Sequence, residues 1–288
     1  VDYHAPESIH AAISLLVNAE GDARVLAGGT DVLVQLREEM IEPNHLIDIK
    51  NIAETRNISI CAKEVRVGAA VTGAELGEHP KVKALWPGVV EAVGLIGSHQ
   101  IQSRATMGGN LCNASPAADS VPALIAADGK VVIAGPNGER KISIEDFLIA
   151  PGKTALAIGE FVVALALPIP PTRTADAYLR FIPRTEMDIA VVSAGSAITL
   201  DEDGKCTHAR LAVGAVAPTA RLVKSASGIL VDGLLDDDRL EQLAQATSAV
   251  CEPIDDKRGT VAFRTQVAGV LACRAVKLAW QRAMERDI

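Results

Sequence analysis

Two glycine pairs carry the chemistry most legible in the sequence: Ala27-Gly28-Gly29-Thr30-Asp31 and Thr106-Met107-Gly108-Gly109-Asn110. A glycine pair lets the main chain approach a ligand with no Cβ in the way, and it tolerates positive φ. Consecutive N–H groups exposed by such a turn form a nest for phosphate oxygens. Two such segments, separated by a stretch the size of a small subdomain, suit a ligand with two phosphates held between two lobes. Asn110 and Asp119 add polar groups among small apolar neighbours. An amide that donates and accepts, and a carboxylate that accepts, suit the hydroxyls of a sugar or ribityl chain. Each feature also has a plainer use, as a tight β–α turn or as turn and capping residues.

The elements that must position these residues follow from the flanking pattern. A short apolar strand at 24–27 leads into the first pair, and a helix at 32–39 follows it. Leu33, Leu36 and Met40 recur there at helical spacing, with Thr30 or Asp31 as the cap. Strand, glycine turn and helix start together make an anion site, although G-x-G-x-x-G is absent. After the second pair, Ser115-Pro116 reads as a helix start.

Elsewhere the spacing predicts a helix at 10–18 behind Ser8, strands at 25–27 and 45–49, and a polar link at 51–57. Strands at 58–61 and 65–69, a helix from about 73 and another at 85–93 come next. Residues 130–133 and 141–144 flank Pro136-Asn137-Gly138, a hairpin signal, and 161–167 is an apolar β-run. Pro168-Ile169-Pro170-Pro171-Thr172 reads as a linker. Beyond it, 188–200 and 206–216 form a hairpin about Asp203-Gly204, followed by helices at 238–249 and 263–284.

Composition excludes several classes. Apolar residues are 49% of the 288, enough for a substantial core, but aromatics are only 3%, so that core must be built from Ala, Val, Leu and Ile. No apolar run reaches the roughly 18 residues of a membrane span, and no export signal is recognised. A net charge of −8 argues against a nucleic-acid surface. Cys61, Cys112, Cys206, Cys251 and Cys273 form no C-x-x-C and match no cluster spacing, so they read as reduced thiols of a cytoplasmic protein. The histidines show no metal-ligand spacing. Gly152-Lys153-Thr154 lacks the first glycine of a P-loop, with Phe147 in its place. G-x-S-x-G is missing. No catalytic acid, base or nucleophile is found, and no metal site is expected.

Residues 27–31 and 106–119 together resemble the FAD-binding subunit of the molybdenum hydroxylases. That family includes the medium subunit of carbon monoxide dehydrogenase and the flavin domain of xanthine dehydrogenase. The resemblance extends to Tyr3-His4-Ala5-Pro6 and to Gly94-Leu95-Ile96-Gly97-Ser98-His99-Gln100-Ile101. It continues through Arg184-Thr185-Glu186-Met187-Asp188-Ile189-Ala190 and Arg258-Gly259-Thr260-Val261-Ala262-Phe263-Arg264.

It implies an α+β chain. A two-lobed FAD-binding fold of the vanillyl-alcohol-oxidase (PCMH) type covers 1–172, with lobes at about 1–55 and 56–172, and an α+β C-terminal domain covers 173–288. It implies FAD held by Val25, Leu26, Ala27, Gly28, Gly29, Thr30, Asp31 and Val32, and by Gly97, Thr106, Met107, Gly108, Gly109 and Asn110; the glycine nests, with no His or Cys assigned to a covalent link, predict that it is bound noncovalently. Asp119 matches the family's acidic FAD contact. Ile189 stands where relatives place a residue against the isoalloxazine, tyrosine in carbon monoxide dehydrogenases and aliphatic in xanthine dehydrogenases. Arg184 is placed near the flavin or in support of that strand.

The implied partners are a large molybdopterin-molybdenum subunit and a small subunit with 2Fe-2S clusters, in a dimer of heterotrimers with no membrane span. Electrons would leave FAD for NAD, oxygen or a quinone. Some relatives, the 4-hydroxybenzoyl-CoA reductases, carry a further cluster in an insert after the second glycine segment; residues 120–153 hold no cysteine, so none is expected here. Two alternatives are a self-sufficient flavoenzyme of the same fold, such as the cell-wall enolpyruvyl reductase, and a flavin-free assembly subunit. The first lacks a substrate domain with its own acid and donor, and the intact glycine pairs argue against the second. The organic substrate is chosen at the molybdenum site on another chain.

Overall fold

The computed structural model describes residues 1–184 and 187–286. Thr185 and Glu186, part of one motif quoted above, lie outside the described residues, as do Asp287 and Ile288. The chain begins with a parallel three-stranded sheet, β1 (Asp2–His4), β2 (Ala23–Leu26) and β3 (His45–Asp48), in the order β1-β3-β2. Parallel neighbours need crossovers, and helices supply them. Ile9–Asn18 joins β1 to β2, with Ser8 Oγ accepting from the Ala11 N–H as its cap, and Val32–Arg37 joins β2 to β3. The expected polar link at 51–57 instead contains a one-turn helix, Ala53–Arg56. Buried Thr55 ties it down by donating its hydroxyl to the Ile49 and Ile52 carbonyls.

The second sheet is antiparallel, with β4 (Ile58–Ile60), β5 (Glu64–Gly68), β6 (Lys130–Gly135) and β7 (Gly138–Ser143). After the short pair β8 (Leu148–Ala150) and β9 (Lys153–Thr154), β10 (Phe161–Pro168) enters its centre, giving the order β4-β5-β10-β6-β7. Residues 161–167 are all buried, which is why this stretch reads as an unbroken apolar run. The expected helix at 85–93 is Pro87–Val93, and a separate helix, Pro80–Leu85, precedes it. Proline at the first position starts a new helix, and Trp86, at the break, donates Nε1 to the Pro168 carbonyl.

The third sheet, β11 (Thr174–Phe181), β12 (Val192–Leu200), β13 (Cys206–Gly214) and β14 (Arg221–Leu222), is also antiparallel. The long helix Val261–Glu285 covers one face through Ala268, Ala272, Ala275, Ala279 and Ala283, whose small side chains allow close approach. Helix Asp237–Ala249 packs against that helix. Ser120–Ala126, wholly buried, packs on β12 and β13 from the N-terminal half. Contact there is close: a Cβ on Gly195 would lie 2.6 Å from the Pro122 carbonyl oxygen.

A second joint lies at the end of the chain. Asp176 on β11 accepts from the Gly88 and Val89 N–H groups, each at 2.9 Å, at the start of Pro87–Val93. Burial pushes its carboxyl up to about 7 despite those two donors. Arg282 grips Glu91 at 3.0 and 2.6 Å, and Arg286 reaches the Leu85 carbonyl. Among the described residues, no helix is long and apolar enough to cross a membrane.

Candidate functional site

A cleft of about 760 Å³ opens chiefly between three stretches of chain, drawn from 16–41, 105–113 and 152–162, with Ile49, Ala69 and Ile96 also in its lining. The first glycine segment forms one wall. β2 ends at Leu26, and the loop then runs against the backbone of the second segment. A Cβ on Gly28 would sit 2.1 Å from the Arg104 carbonyl oxygen, so only glycine allows the two segments this approach. Gly29 has φ +81°, the left-handed region that glycine enters without strain. Leu33 donates its N–H back to the Gly29 carbonyl, but the N–H groups of Gly29, Thr30, Asp31 and Val32 donate to no described protein acceptor. They form an open nest.

The helix after this loop is present, but its cap is incomplete. Asp31 takes the cap position of Val32–Arg37 without a side-chain cap bond, and burial raises its carboxyl. The helix expected from the spacing of Leu33, Leu36 and Met40 forms over Val32–Arg37 and buries none of its residues, with Leu33 and Val34 54% and 55% exposed.

The second segment is built differently. Thr106 caps the helix Met107–Cys112, its Oγ1 accepting from the Gly109 N–H at 2.9 Å. Gly108 and Gly109 therefore form a helical first turn, and neither is in the left-handed region. A Cβ on Gly108 would lie 2.7 Å from the Ala69 carbonyl oxygen; one on Gly109 would meet only Thr106 Oγ1, at 3.0 Å. Gly109 faces the cleft with room, while Gly108 lines it and also fits helix to sheet. Asn110 lines the cleft and accepts from the Ser120 N–H and hydroxyl at 3.2 and 2.7 Å. Gln35 donates across the cleft to Asn113 Oδ1 at 3.1 Å.

Ser115-Pro116 starts no helix. Ala114 is at φ +50°, the Ser115 carbonyl accepts from Ala118, the Pro116 carbonyl accepts from Ala215, and the helix begins at Ser120.

The third wall was not foreseen. Glu160 accepts from Arg140 Nε and Nη2 and from the Ala157 N–H, pinning the loop before β10, and Gly159 has φ +80°. Gly152 donates to the Ala114 carbonyl, joining this wall to the second. The glycines at 152 and 159 were the available signal; the Arg140–Glu160 pairing is set by the fold.

Of the residues expected to hold a ligand, Val25 to Val32, Thr106, Gly108, Gly109 and Asn110 line the cleft. Five do not. Met107 is buried in the core beneath it. Gly97, at φ +62°, packs on Ile101 while its neighbour Ile96 reaches the cleft. Asp119 accepts from the Tyr178 hydroxyl at 2.8 Å and from Arg180 Nη1 at 2.9 Å. Burial pushes its carboxyl up to about 6 against the pull of both partners. Arg184 is exposed and donates to Asp188 at 3.0 Å, and Ile189 is 53% exposed beside it.

The motifs around 184–190 and 258–264 do meet, though outside the cleft. Arg258 Nε lies 3.8 Å from Asp188, and buried Arg264 donates to the Val191 and Ala215 carbonyls.

A second hollow, about 900 Å³, runs between Asp237–Ala249 and Val261–Glu285, lined by residues such as Leu240, Ala244, Val270 and Lys277. It has no comparable nest of open backbone donors. Among the described residues, no three His, Cys, Asp or Glu side chains gather as a metal site.

Residues 1–170 match the family model described as the FAD binding domain in molybdopterin dehydrogenase, and 177–279 match the carbon monoxide dehydrogenase flavoprotein C-terminal domain. The chain is 33% identical over 282 residues to the carbon monoxide dehydrogenase medium chain of Hydrogenophaga pseudoflava, covering 98% of this chain and 97% of that one. It is 32% identical over 276 residues to a putative xanthine dehydrogenase FAD-binding subunit of Escherichia coli (strain K12), covering 95% and 94%. Its fold superposes with TM-score 0.93, at 33% identity and 98% and 97% coverage, on a chain of Hydrogenophaga pseudoflava carbon monoxide dehydrogenase lacking the Mo-pyranopterin moiety. The family resemblance and the PCMH-type α+β fold read from the sequence are borne out.

Proposed function

The chain belongs to the family of FAD-binding subunits of molybdenum hydroxylases, and from that premise we propose that it is the flavin-bearing relay of a three-chain enzyme. In this reading a large subunit oxidises an organic substrate at molybdopterin-bound molybdenum. A small subunit passes the electrons through 2Fe-2S clusters to this chain, and an outside acceptor, NAD, oxygen or a quinone, removes them. The observation that carries the reading is the cleft with its open nest at Gly29–Val32.

The residues present fit FAD. The volume lies within the range of about 300–1,000 Å³ usual for cofactor sites. The lining combines polar loop backbone with apolar and small side chains, which admit an extended ligand closely. Its charged side chains are few: Arg24 is paired with Asp22, Glu160 with Arg140, and burial raises the carboxyl of Asp31, which favours its neutral form. A pyrophosphate would therefore be held by N–H groups of 28–32, not by a lysine or arginine cage. Asn110, fixed by Ser120, offers its amide nitrogen to ligand oxygens. Thr106 holds the helix start, and Met107 anchors it in the core. Bound FAD supplies the redox chemistry. The protein's part is to bind, orient and shield it, which explains why no acid–base or nucleophile constellation was found. Asp119, Gly97, Arg184 and Ile189 carry their proposed flavin roles on the resemblance alone.

We further propose the division of the chain at about 172–173, a cytoplasmic site of action with reduced thiols, and a dimer of heterotrimers. A permanent docking face between the subunits would bury more than about 2,000 Å². The test is purification at native expression level, with metal analysis and turnover. Co-purifying molybdenum, iron and flavin in a three-chain complex is the expected result. A lone monomer that oxidises an organic substrate by itself would contradict the relay.

A further inference from the structure

Lys50 does not line the cleft, yet its ammonium group touches the first glycine loop. It stands in the 3-10 turn Ile49–Asn51, directly after β3. Its Nζ donates to the Ala27 carbonyl at 3.0 Å and to Asp48 Oδ2 at 2.7 Å. Asp48, a buried carboxylate, also accepts the Tyr3 hydroxyl at 2.7 Å and the Lys50 N–H at 3.0 Å. Burial would raise this carboxyl. The bonds from Lys50 and Tyr3 outweigh that effect and hold it below the usual range, so it stays ionised. Three strands of the first sheet meet at this cluster: Tyr3 on β1, Asp48 at the end of β3, and Ala27 just past β2.

The Ala27 carbonyl belongs to the peptide that leads into Gly28. In a trans peptide the C=O and N–H point in opposite directions, and no described peptide is cis. Tying that carbonyl to an ammonium behind the loop turns the Gly28 N–H the other way, toward the cleft. There it extends the row of open donors at Gly29–Val32, and like them it has no described protein acceptor. Gly28 has no side chain to steer this peptide and cannot gain one, because a Cβ would strike the Arg104 carbonyl. Orientation must come from outside the loop.

We propose that Lys50 is a positioning residue for FAD: it clamps the Ala27–Gly28 peptide so that the loop presents a continuous row of N–H groups to phosphate oxygens. The proposal rests on the reading of the cleft as the FAD site. Removing Lys50 alone would strand a buried carboxylate, a large cost by itself. The informative variant is therefore Lys50→Met combined with Asp48→Asn, beside Lys50→Arg and Gly109→Val, each in the full chain depleted of flavin and titrated with FAD. Flavin fluorescence gives the dissociation constant, and circular dichroism gives the melting temperature of the flavin-free chain.

The double variant should bind FAD at least roughly tenfold more weakly, the scale of one lost charge-assisted hydrogen bond. Its flavin-free melting temperature should stay close to that of the parent, and Lys50→Arg, which keeps a cation beside Asp48, should retain most of the parent's affinity. Native FAD affinity in the double variant, with flavin lost in Gly109→Val, would overturn the role of Lys50 and leave the cleft reading standing. Native affinity in both would overturn the cleft reading as well. A double variant that does not fold would show Lys50 to be structural and would also overturn the proposal.

Discussion

At Gly28 an added Cβ would lie 2.1 Å from a backbone carbonyl oxygen; at Gly109 it would meet only a threonine hydroxyl, at 3.0 Å. The two glycine segments face one cleft, but they use glycine for different reasons. In the first, Gly28 permits contact between segments and Gly29 supplies a left-handed turn, leaving a row of unpaired N–H groups. In the second, the glycines sit in a capped helix start, where Gly108 fits against the sheet at Ala69 and Gly109 leaves space at the cleft. One segment is a nest, the other a low wall, and identical residue pairs therefore predict different mutational outcomes.

The largest effect should come at Gly28. Gly28→Val forces backbone apart where two segments touch, and the variant is expected to be insoluble or unfolded, checked by yield and far-UV circular dichroism. Gly108→Ala should be milder, because overpacking of this kind costs about 1–3 kcal/mol; a urea melt of the flavin-free chain measures it. Gly29→Ala pays for a left-handed backbone, about 1–2 kcal/mol, and should lose flavin affinity too. Gly109→Val should leave the urea midpoint nearly unchanged while its flavin content falls sharply. If Gly108→Ala proved harmless to stability and Gly109→Val unfolded the chain, the two roles would have been assigned the wrong way round.

A smaller effect concerns the joint between the halves of the chain. The Asp176 carboxyl is raised to about 7 in the fold, so the folded chain holds a proton that the unfolded chain releases near pH 4. Its contribution to stability is complete below about pH 4 and fades as pH rises toward 7. Asp176→Asn removes that titration. Melting temperatures between pH 4 and 8 should fall less steeply in the variant than in the parent. Parallel curves would show that Asp176 does not titrate there.

Elements whose signal is local were legible in the sequence. β10 shows as a seven-residue apolar run, the β6–β7 hairpin as Pro136-Asn137-Gly138 between strands, and the Val261–Glu285 helix as a long periodic stretch. Contacts made across the fold set what was missed. Ser115-Pro116 carries a helix-start pattern, yet its backbone is engaged by Ala118 and by Ala215, a hundred residues along the chain. The wall at 152–162 depends on Arg140 reaching Glu160. Most of the candidate site was readable because glycine pairs announce themselves; the division of labour between the pairs depends on Arg104 and Ala69, which no local pattern reveals.

The central claim is that the ligand cleft between the two glycine segments is the FAD site, with the first segment as its donor row. Hydrogen–deuterium exchange on the chain with and without FAD tests it most directly. The amides of 28–32 have no described protein acceptor, so FAD should slow their exchange strongly. Those of 107–112 should slow less, and those flanking the hollow between Asp237–Ala249 and Val261–Glu285 should not change. Unaltered exchange at 28–32, with protection appearing around that hollow instead, would contradict the account.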